Sequence, residues 1–591
     1  IVDQIGSGTP GAGTITVLGA DGATLAGRIQ TNGGYVRISV DSDAGVNRGG
    51  AGNLVINKGA DITTDGGNLY LSFGGNDHSA RLLSDITLGQ GRLYFGDAIP
   101  GGITKQLGSS TGRKELGGLL SLSGDVNFST PLTMLGGASI YTDGAINFTS
   151  TVNLDTGNDL LTLRANNVDF TQATLQNLST ASIRLEPYNV TTDILLNSSS
   201  GNAGGGIFLD SNAPATDISK LVGIKNLTIG RADGTGTTTV DSSGFSFNAN
   251  NNLSLLNGNV QIDGALSNGN ASGHVIAQAG TGDVLIGSGG SVTAQGPGDA
   301  IVLVAKRNLL NQAGANALSA TNGRWLTYSS SPSDDVRGGL DVAFKQYAAQ
   351  YGDTVLGFGN GHLYTYAPKV KVELQGEVRK TYDGNAAASV SDANFAMSGA
   401  IDGDTIDVLS FGNAYYADKN AGAGKQVTVD DVEVSEATNG NVKVYGYQVD
   451  ASSVSGDVGQ VDRKVLTASA DVADKTYDGS ATANLSNVAL VGIVTGDEGK
   501  VDTSGTTGAF SDKNAGQNKS VNGSGLALTG EEADNYSFDT DAEIGKADID
   551  RKLLTASADV SNKTYDGTTT ANLSNVALVG LVAGDEGKVD T

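Results

Sequence analysis

The chain has 591 residues, more than one hydrophobic core normally serves, with 86 glycines, 8 prolines and no cysteine. A formal charge of −26 repels phosphate backbones and argues against a nucleic-acid partner. No apolar run is long enough to cross a membrane as a helix, and the lack of cysteine rules out a disulfide framework.

From Ile1 the sequence reads as short β-branched or apolar stretches separated by Gly-Asn, Gly-Asp, Asp-Gly or Gly-Gly. Gly, Asn and Asp suit turns, and Val, Ile, Leu and Thr suit strands, so the predicted class is all-β. Several openings recur. Gly52-Asn53-Leu54-Val55-Ile56 is echoed by Gly67-Asn68-Leu69-Tyr70-Leu71, and Gly124-Asp125-Val126-Asn127-Phe128 by Gly144-Ala145-Ile146-Asn147-Phe148. Gly282-Asp283-Val284-Leu285-Ile286 is echoed by Gly298-Asp299-Ala300-Ile301-Val302. Strands this short bury an apolar face only by stacking on copies of themselves, which predicts a right-handed parallel β-helix over residues 1–322. With about 20 residues per turn and about 4.8 Å between strands, such a rod would be about 75 Å long.

An open stack needs its last edge covered. Trp325, Phe344, Tyr347, Tyr351, Phe358, Tyr364 and Tyr366 crowd residues 323–368, which are read as an aromatic cap ending at Pro368. Beyond it lie repeats. Residues 463–503 return as 551–591 with seven differences, and Lys-Thr-Tyr-Asp-Gly occurs at 380–384, 475–479 and 563–567. Each unit then passes Asp-Lys-Asn-Ala-Gly (418–422, 512–516) and a Tyr-bearing stretch, Tyr445-Gly446-Tyr447 or Asn535-Tyr536-Ser537. The expected domains are repeat 1 at 369–462, repeat 2 at 463–550 and the truncated start of repeat 3 at 551–591, each a small β-domain in a string. The acid excess is greatest in this part, and the natural protein is expected to continue past Thr591.

The stretch from Gly323-Arg324-Trp325-Leu326 to Tyr364-Thr365-Tyr366-Ala367-Pro368, together with these repeats, resembles the large exoproteins of bacterial two-partner secretion. Those are filamentous-haemagglutinin-like adhesins with YDG and MBG stalk modules, and the sequence looks closest to the biofilm-matrix type. The resemblance implies a secreted protein of the cell surface or biofilm matrix. It implies exopolysaccharide or another surface glycan as partner, self-association between cells, and an outer-membrane secretion partner engaged through an N-terminal domain. The Asn-Pro-Asn-Gly motifs of that domain are not found near Ile1.

Site readings remain open on sequence alone. Tyr382, Tyr477 and Tyr565 of the Lys-Thr-Tyr-Asp-Gly motif suit sugar stacking, but a residue present in every repeat more readily serves that repeat's own core. Lys475 or Lys513 could close a Lys–Asn isopeptide bond, although no spacing requires it. Turn carboxylates at Asp41-Ser42-Asp43, Asp61, Asp65 and Asp334-Asp335 offer oxygen ligands to Ca²⁺, yet no known calcium-loop pattern is present, so no cofactor is expected. His78, His274 and His362 lie far apart, and Asp159, Asp210 and Asp263 follow no pattern. No catalytic, cofactor-binding or metal residue is therefore assigned, and the ligand-binding residues are unknown. The expected function is adhesion without catalysis; the alternatives are a polysaccharide lyase or hydrolase of the β-helix type, or a passive spacer.

Overall fold

A computed structural model gives the fold. It describes short strands with a few flanking residues before residue 124, and residues 124–590 apart from 130, 158, 198–205 and 209–215. Asp41, Ser42, Asp43, Asp65, His78 and Asp210, together with Gly52, Gly67 and Asn68, lie outside the described residues. The described structure is strands, turns and four single-turn 3₁₀ segments. It divides into two compact units. One holds residues 1–368, 400–405 and 436–447; the other holds 369–399, 406–435 and 448–591.

Large parallel sheets build the first unit. Asn252–Asn257, Asn259–Ile262 and Ala265–Asn268 are followed by His274–Ala279, Val284–Ile286 and Ser291–Ala294. Gly298–Ala305, Leu309–Asn311 and Leu318–Ala320 come next, and each strand pairs in parallel with its counterpart in the following set. Side chains alternate between buried and partly exposed along such strands, as a pleat requires. Strict register therefore places like on like. Leu120, Ile140, Leu163, Leu185, Ile229, Leu255, Ala277 and Leu303 form one buried column through the longest sheet. Burying each larger aliphatic contributes about 1.5–3 kcal/mol. Phe128, Phe148 and Phe170 form a second column, with ring centroids 5.0 and 5.3 Å apart. An antiparallel excursion, Ile194–Asn197 with Gly206–Phe208 and Thr216–Asp217, interrupts the parallel order.

Of the three echoed openings, one marks stacked strands: Val126 pairs with Ile146 and Phe128 with Phe148. In the other two pairs the strands belong to different sheets. Asn53–Ile56 joins Gly22–Leu25, whereas Leu69–Phe73 joins Val36–Val40; Val284–Ile286 joins Leu309–Asn311, whereas Gly298–Ala305 joins Gly323–Ser329. All strands with one face on the core share the same pattern, so similarity alone does not identify the neighbour.

Residues 323–368 extend the parallel sheet with further strands. Gly323–Ser329 pairs with Gly361–Tyr364, which pairs with Phe344–Gln346, and that strand takes Val442–Tyr445 as its next parallel neighbour. Trp325, Phe344, Tyr347 and Tyr364 are buried, whereas Tyr351, Phe358 and Tyr366 are exposed, so only part of the aromatic cluster supplies core. Gly446 has φ +85°, and a Cβ there would meet the Tyr347 carbonyl oxygen at 2.1 Å, so this close approach requires glycine.

In the second unit, residues 463–550 form mixed sheets around Ala483, Leu485, Phe510, Val521, Ile544 and Ile549. Thr482–Val491 pairs antiparallel with Lys464–Val472 and with Thr507–Phe510, while Gly516–Asn522 pairs antiparallel with Glu543–Asp550. The Lys-Thr-Tyr-Asp-Gly motifs of the two complete repeats each start on a strand that runs parallel to the end of their own repeat. Val378–Thr381 pairs with Gly459–Asp462, and Lys475–Thr476 pairs with Ile549–Asp550.

Candidate functional site

Each Lys-Thr-Tyr-Asp-Gly motif closes on itself. Lys380 Nζ donates to Asp383 at 2.7 Å, Lys475 pairs with Asp478 at 2.7 Å, and Lys563 with Asp566 at 2.9 Å. The same aspartates accept backbone N–H groups two residues on, from Asn385, Ser480 and Thr568. Gly384, Gly479 and Gly567 take φ of +83°, +82° and +75°, which the turn requires. These contacts occupy the lysine and the aspartate. The tyrosine is left to point elsewhere.

Tyr382 is buried to 1% exposure, and its hydroxyl donates to Asp497 Oδ2 at 2.8 Å, 115 residues away in repeat 2. Tyr536 donates to the same oxygen at 2.7 Å, and its own oxygen accepts the Val494 N–H at 3.1 Å. The two rings meet edge to face, with centroids 5.3 Å apart. Lys419 of the Asp-Lys-Asn-Ala-Gly turn donates to the Tyr382 oxygen at 3.0 Å and to Glu532 at 2.9 Å, and lies 3.5 Å from Asp497. Asn535 Oδ1 accepts the Ala421 N–H at 2.7 Å. Burial opposes ionisation of Asp497, but hydrogen bonds from Tyr536 and Tyr382 and the charge of Lys419 outweigh it, so its pKa lies below the ordinary carboxylate value. Hydrogen bonds to Tyr382 and Glu532 hold the Lys419 ammonium above its usual range, and burial pushes up both tyrosines.

A centre of the same design stands in the first unit. Asp404 Oδ2 accepts Tyr347 at 2.6 Å and Tyr447 at 2.9 Å, and the Tyr447 oxygen accepts the Ile401 N–H at 2.9 Å. The Tyr347 and Tyr447 rings also meet edge to face, at 5.0 Å. Lys345, almost fully buried, donates to Asp404 and reaches Asp402 at 2.8 Å, while Asn439 donates to Asp404 at 2.9 Å. Arg337 holds Asp402 through two bonds of 2.7 and 2.6 Å. Burial raises the pKa of Tyr347 and Tyr447, and the carboxylate of Asp404 adds to the rise.

Asp585 marks a third centre, incomplete in this sequence. Tyr477 donates to it at 2.6 Å, and Lys513 lies 4.0 Å away. Beside them opens a cavity of about 370 Å³ lined by Tyr477, Asn514, Ala515, Leu554, Val582 and Asp585. Their counterparts around Asp497 are Tyr382, Asn420, Ala421, Leu466, Val494 and Asp497 itself. Tyr565 is 92% exposed, and the Gly-Asp that follows it, at 584–585, belongs to its own repeat.

Two stretches of the chain match the YDG domain family, residues 367–451 and 462–543. The chain carries two YDG domains. No curated protein and no solved structure matches the chain. In these YDG domains the motif tyrosine neither stacks on the surface nor stays in its own repeat: Tyr382 and Tyr477 bond carboxylates of the following repeat. The partner aspartates were missed by sequence reasoning, although Gly-Asp recurs at 403–404, 496–497 and 584–585.

The other sequence candidates are dispersed. Lys475 donates to Ser480 and Thr482 carbonyls as well as pairing with Asp478, and Lys513 stands partly exposed near Asp585, so neither meets an asparagine side chain within hydrogen-bond reach in the described contacts. His274 contacts the Pro297 carbonyl at 2.8 Å; His362 is buried, bonds Thr327, and is pushed by burial to a pKa of about 3. Asp61 accepts Ser84, Asp263 accepts Gln261, and Asp335 accepts the Leu309 N–H and Ser329. Among the described residues, no group of three or more His, Asp or Glu side chains gathers as a metal site.

Asparagine pairs link successive strands and turns at several places in the first unit. Asn147 bonds Asn127 at 2.8 Å, Asn177 bonds Asn153 at 2.6 Å, Asn251 bonds Asn226 at 3.1 Å and Asn270 bonds Asn250 at 3.0 Å. Some of these amides are engaged on both ends: Asn226 also donates to Ser182, Asn250 donates to the Gly223 carbonyl, and Asn270 accepts the Ser272 N–H.

Proposed function

We propose that this chain is a segment of a secreted bacterial adhesin of the cell surface or biofilm matrix. In this reading the first unit is a right-handed parallel β-helix whose flank binds exopolysaccharide or another glycan, and the YDG repeats are its stalk. Export would use an outer-membrane partner pore, as in the exoproteins the sequence resembles. The observation that carries the reading is the recurrence of part-exposed asparagine–asparagine pairs between successive strands and turns of the first unit. Repeated polar pairs of this kind offer a polymer several similar weak contacts, which sum along its length. A lyase or hydrolase would instead need convergent acids in a groove. The acidic composition supports the stalk role by keeping repeats soluble and apart from like-charged surfaces.

Co-sedimentation with a panel of purified bacterial exopolysaccharides and host glycans, with reducing sugar assayed in the supernatant, tests this. One glycan should pellet with the chain and release no sugar. Sugar release would favour the enzyme reading, and failure to pellet with any glycan would favour a spacer.

A further inference from the structure

The three carboxylate centres repeat one arrangement. Asp404, Asp497 and Asp585 each come directly after a glycine, and each accepts a tyrosine hydroxyl from sequence that precedes its own repeat: Tyr347, Tyr382 and Tyr477. In the two complete centres the second tyrosine, Tyr447 or Tyr536, comes from the same repeat as the aspartate, and its oxygen accepts an N–H from the loop carrying that aspartate. A lysine from the preceding module, Lys345 or Lys419, stands beside the carboxylate. One half of each centre is thus an end face of module n. The other is the Gly-Asp loop and Tyr strand of module n+1.

We propose that the tyrosine of Lys-Thr-Tyr-Asp-Gly is an inter-repeat latch. The face formed by this tyrosine and the Asp-Lys-Asn-Ala-Gly turn is a recognition surface whose partner is the Gly-Asp loop of the next YDG repeat. The exposure of the motif tyrosines in the two complete repeats supports this: Tyr382 is buried against a complete neighbouring repeat, and Tyr477 is half-buried against a partial one. Burial of this side chain rises with the completeness of the next repeat. Intra-repeat surroundings are alike for Tyr382 and Tyr477: the Lys–Asp closure, the glycine conformation and the parallel pairing with the end of their own repeat are the same. Coupling is directional, because each repeat offers its tyrosine forward and its aspartate backward. A string joined in this way behaves as a nearest-neighbour array in which each interface adds to stability.

Hydrogen exchange on the full chain separates a latch from a core residue. Tyr382→Phe should speed exchange of the amides at 494–500, including Asp497 N–H, by about 10- to 100-fold, the effect of losing a hydrogen bond to a carboxylate. Tyr477→Phe should do the same at 582–588, and Tyr565→Phe should change nothing. Faster exchange confined to residues 376–462 in Tyr382→Phe, with 494–500 unchanged, overturns the proposal. Should Tyr382→Phe unfold repeat 1, Asp497→Asn decides from the other side. Faster exchange at the Tyr382 amide, which bonds the Asp462 carbonyl, supports the latch, and an unchanged rate overturns it.

Discussion

Asp335 offers a test of how burial is balanced in the first unit. Its carboxylate accepts the Leu309 N–H at 2.8 Å and the Ser329 hydroxyl at 2.7 Å, but burial outweighs both and pushes its pKa up to about 6. The folded state therefore binds this proton more tightly than the unfolded chain does. Stability falls as pH rises from about 4 to about 6, and the penalty is fully present above the folded pKa. A rise from 3.8 to about 6 corresponds to an upper limit of about 3 kcal/mol, and residual solvent screening reduces it to roughly 1–2 kcal/mol. Asparagine fits the same site, since its oxygen accepts Leu309 N–H and its amide donates to Ser329. Asp335→Asn should therefore raise the melting temperature of the first unit at pH 7.5, by calorimetry on the whole chain, and leave it unchanged at pH 3.5. An equal gain at both pH values, or none at pH 7.5, would refute the reasoning.

The buried columns and centres make further predictions. Phe148→Ala removes the middle ring of the Phe128–Phe148–Phe170 stack and should destabilise the first unit by about 3–5 kcal/mol in denaturant titration, more than an end ring costs. Lys345→Met leaves Asp402 and Asp404 without their shared ammonium and should cost about 3–5 kcal/mol; the further change Asp404→Asn should recover part of that loss. Asp497 is held below the ordinary carboxylate pKa, so its contribution is present above about pH 4 and is lost as pH falls through the folded value. Asp497→Asn should accordingly weaken repeat 2 at pH 7 and lose that effect near pH 2, by circular dichroism melts.

Much of the architecture was legible in the sequence. Glycine-led β-branched runs gave an all-β chain with parallel stacking, because register in a stack places similar residue types above one another, as Val126 stands beside Ile146. Which strands are neighbours was harder to read, since Val284–Ile286 and Gly298–Ala305 share a pattern but not a sheet. The aromatics after Gly323 signalled a change, yet the stack goes on through strands at 361–364, 344–346 and 442–445, a pairing set by long-range geometry. The Lys-Thr-Tyr-Asp-Gly repeat marked its turn correctly because Lys, Asp and Gly act within five residues. The role of its tyrosine was hidden, because the partner aspartate lies more than 100 residues downstream and looks like one more Gly-Asp turn. Comparing repeats for what each lacks locally would have found it: a buried hydroxyl needs an acceptor, and no acceptor recurs beside the motif.

A double-mutant cycle tests most directly whether the tyrosine of one YDG repeat holds the aspartate of the next. Unfolding of the chain, its Tyr382→Phe and Asp497→Asn variants and the double variant would be monitored by calorimetry on the second unit's transition. A coupling energy of about 1–2 kcal/mol between the two sites is predicted. Additivity to within about 0.5 kcal/mol would contradict the account.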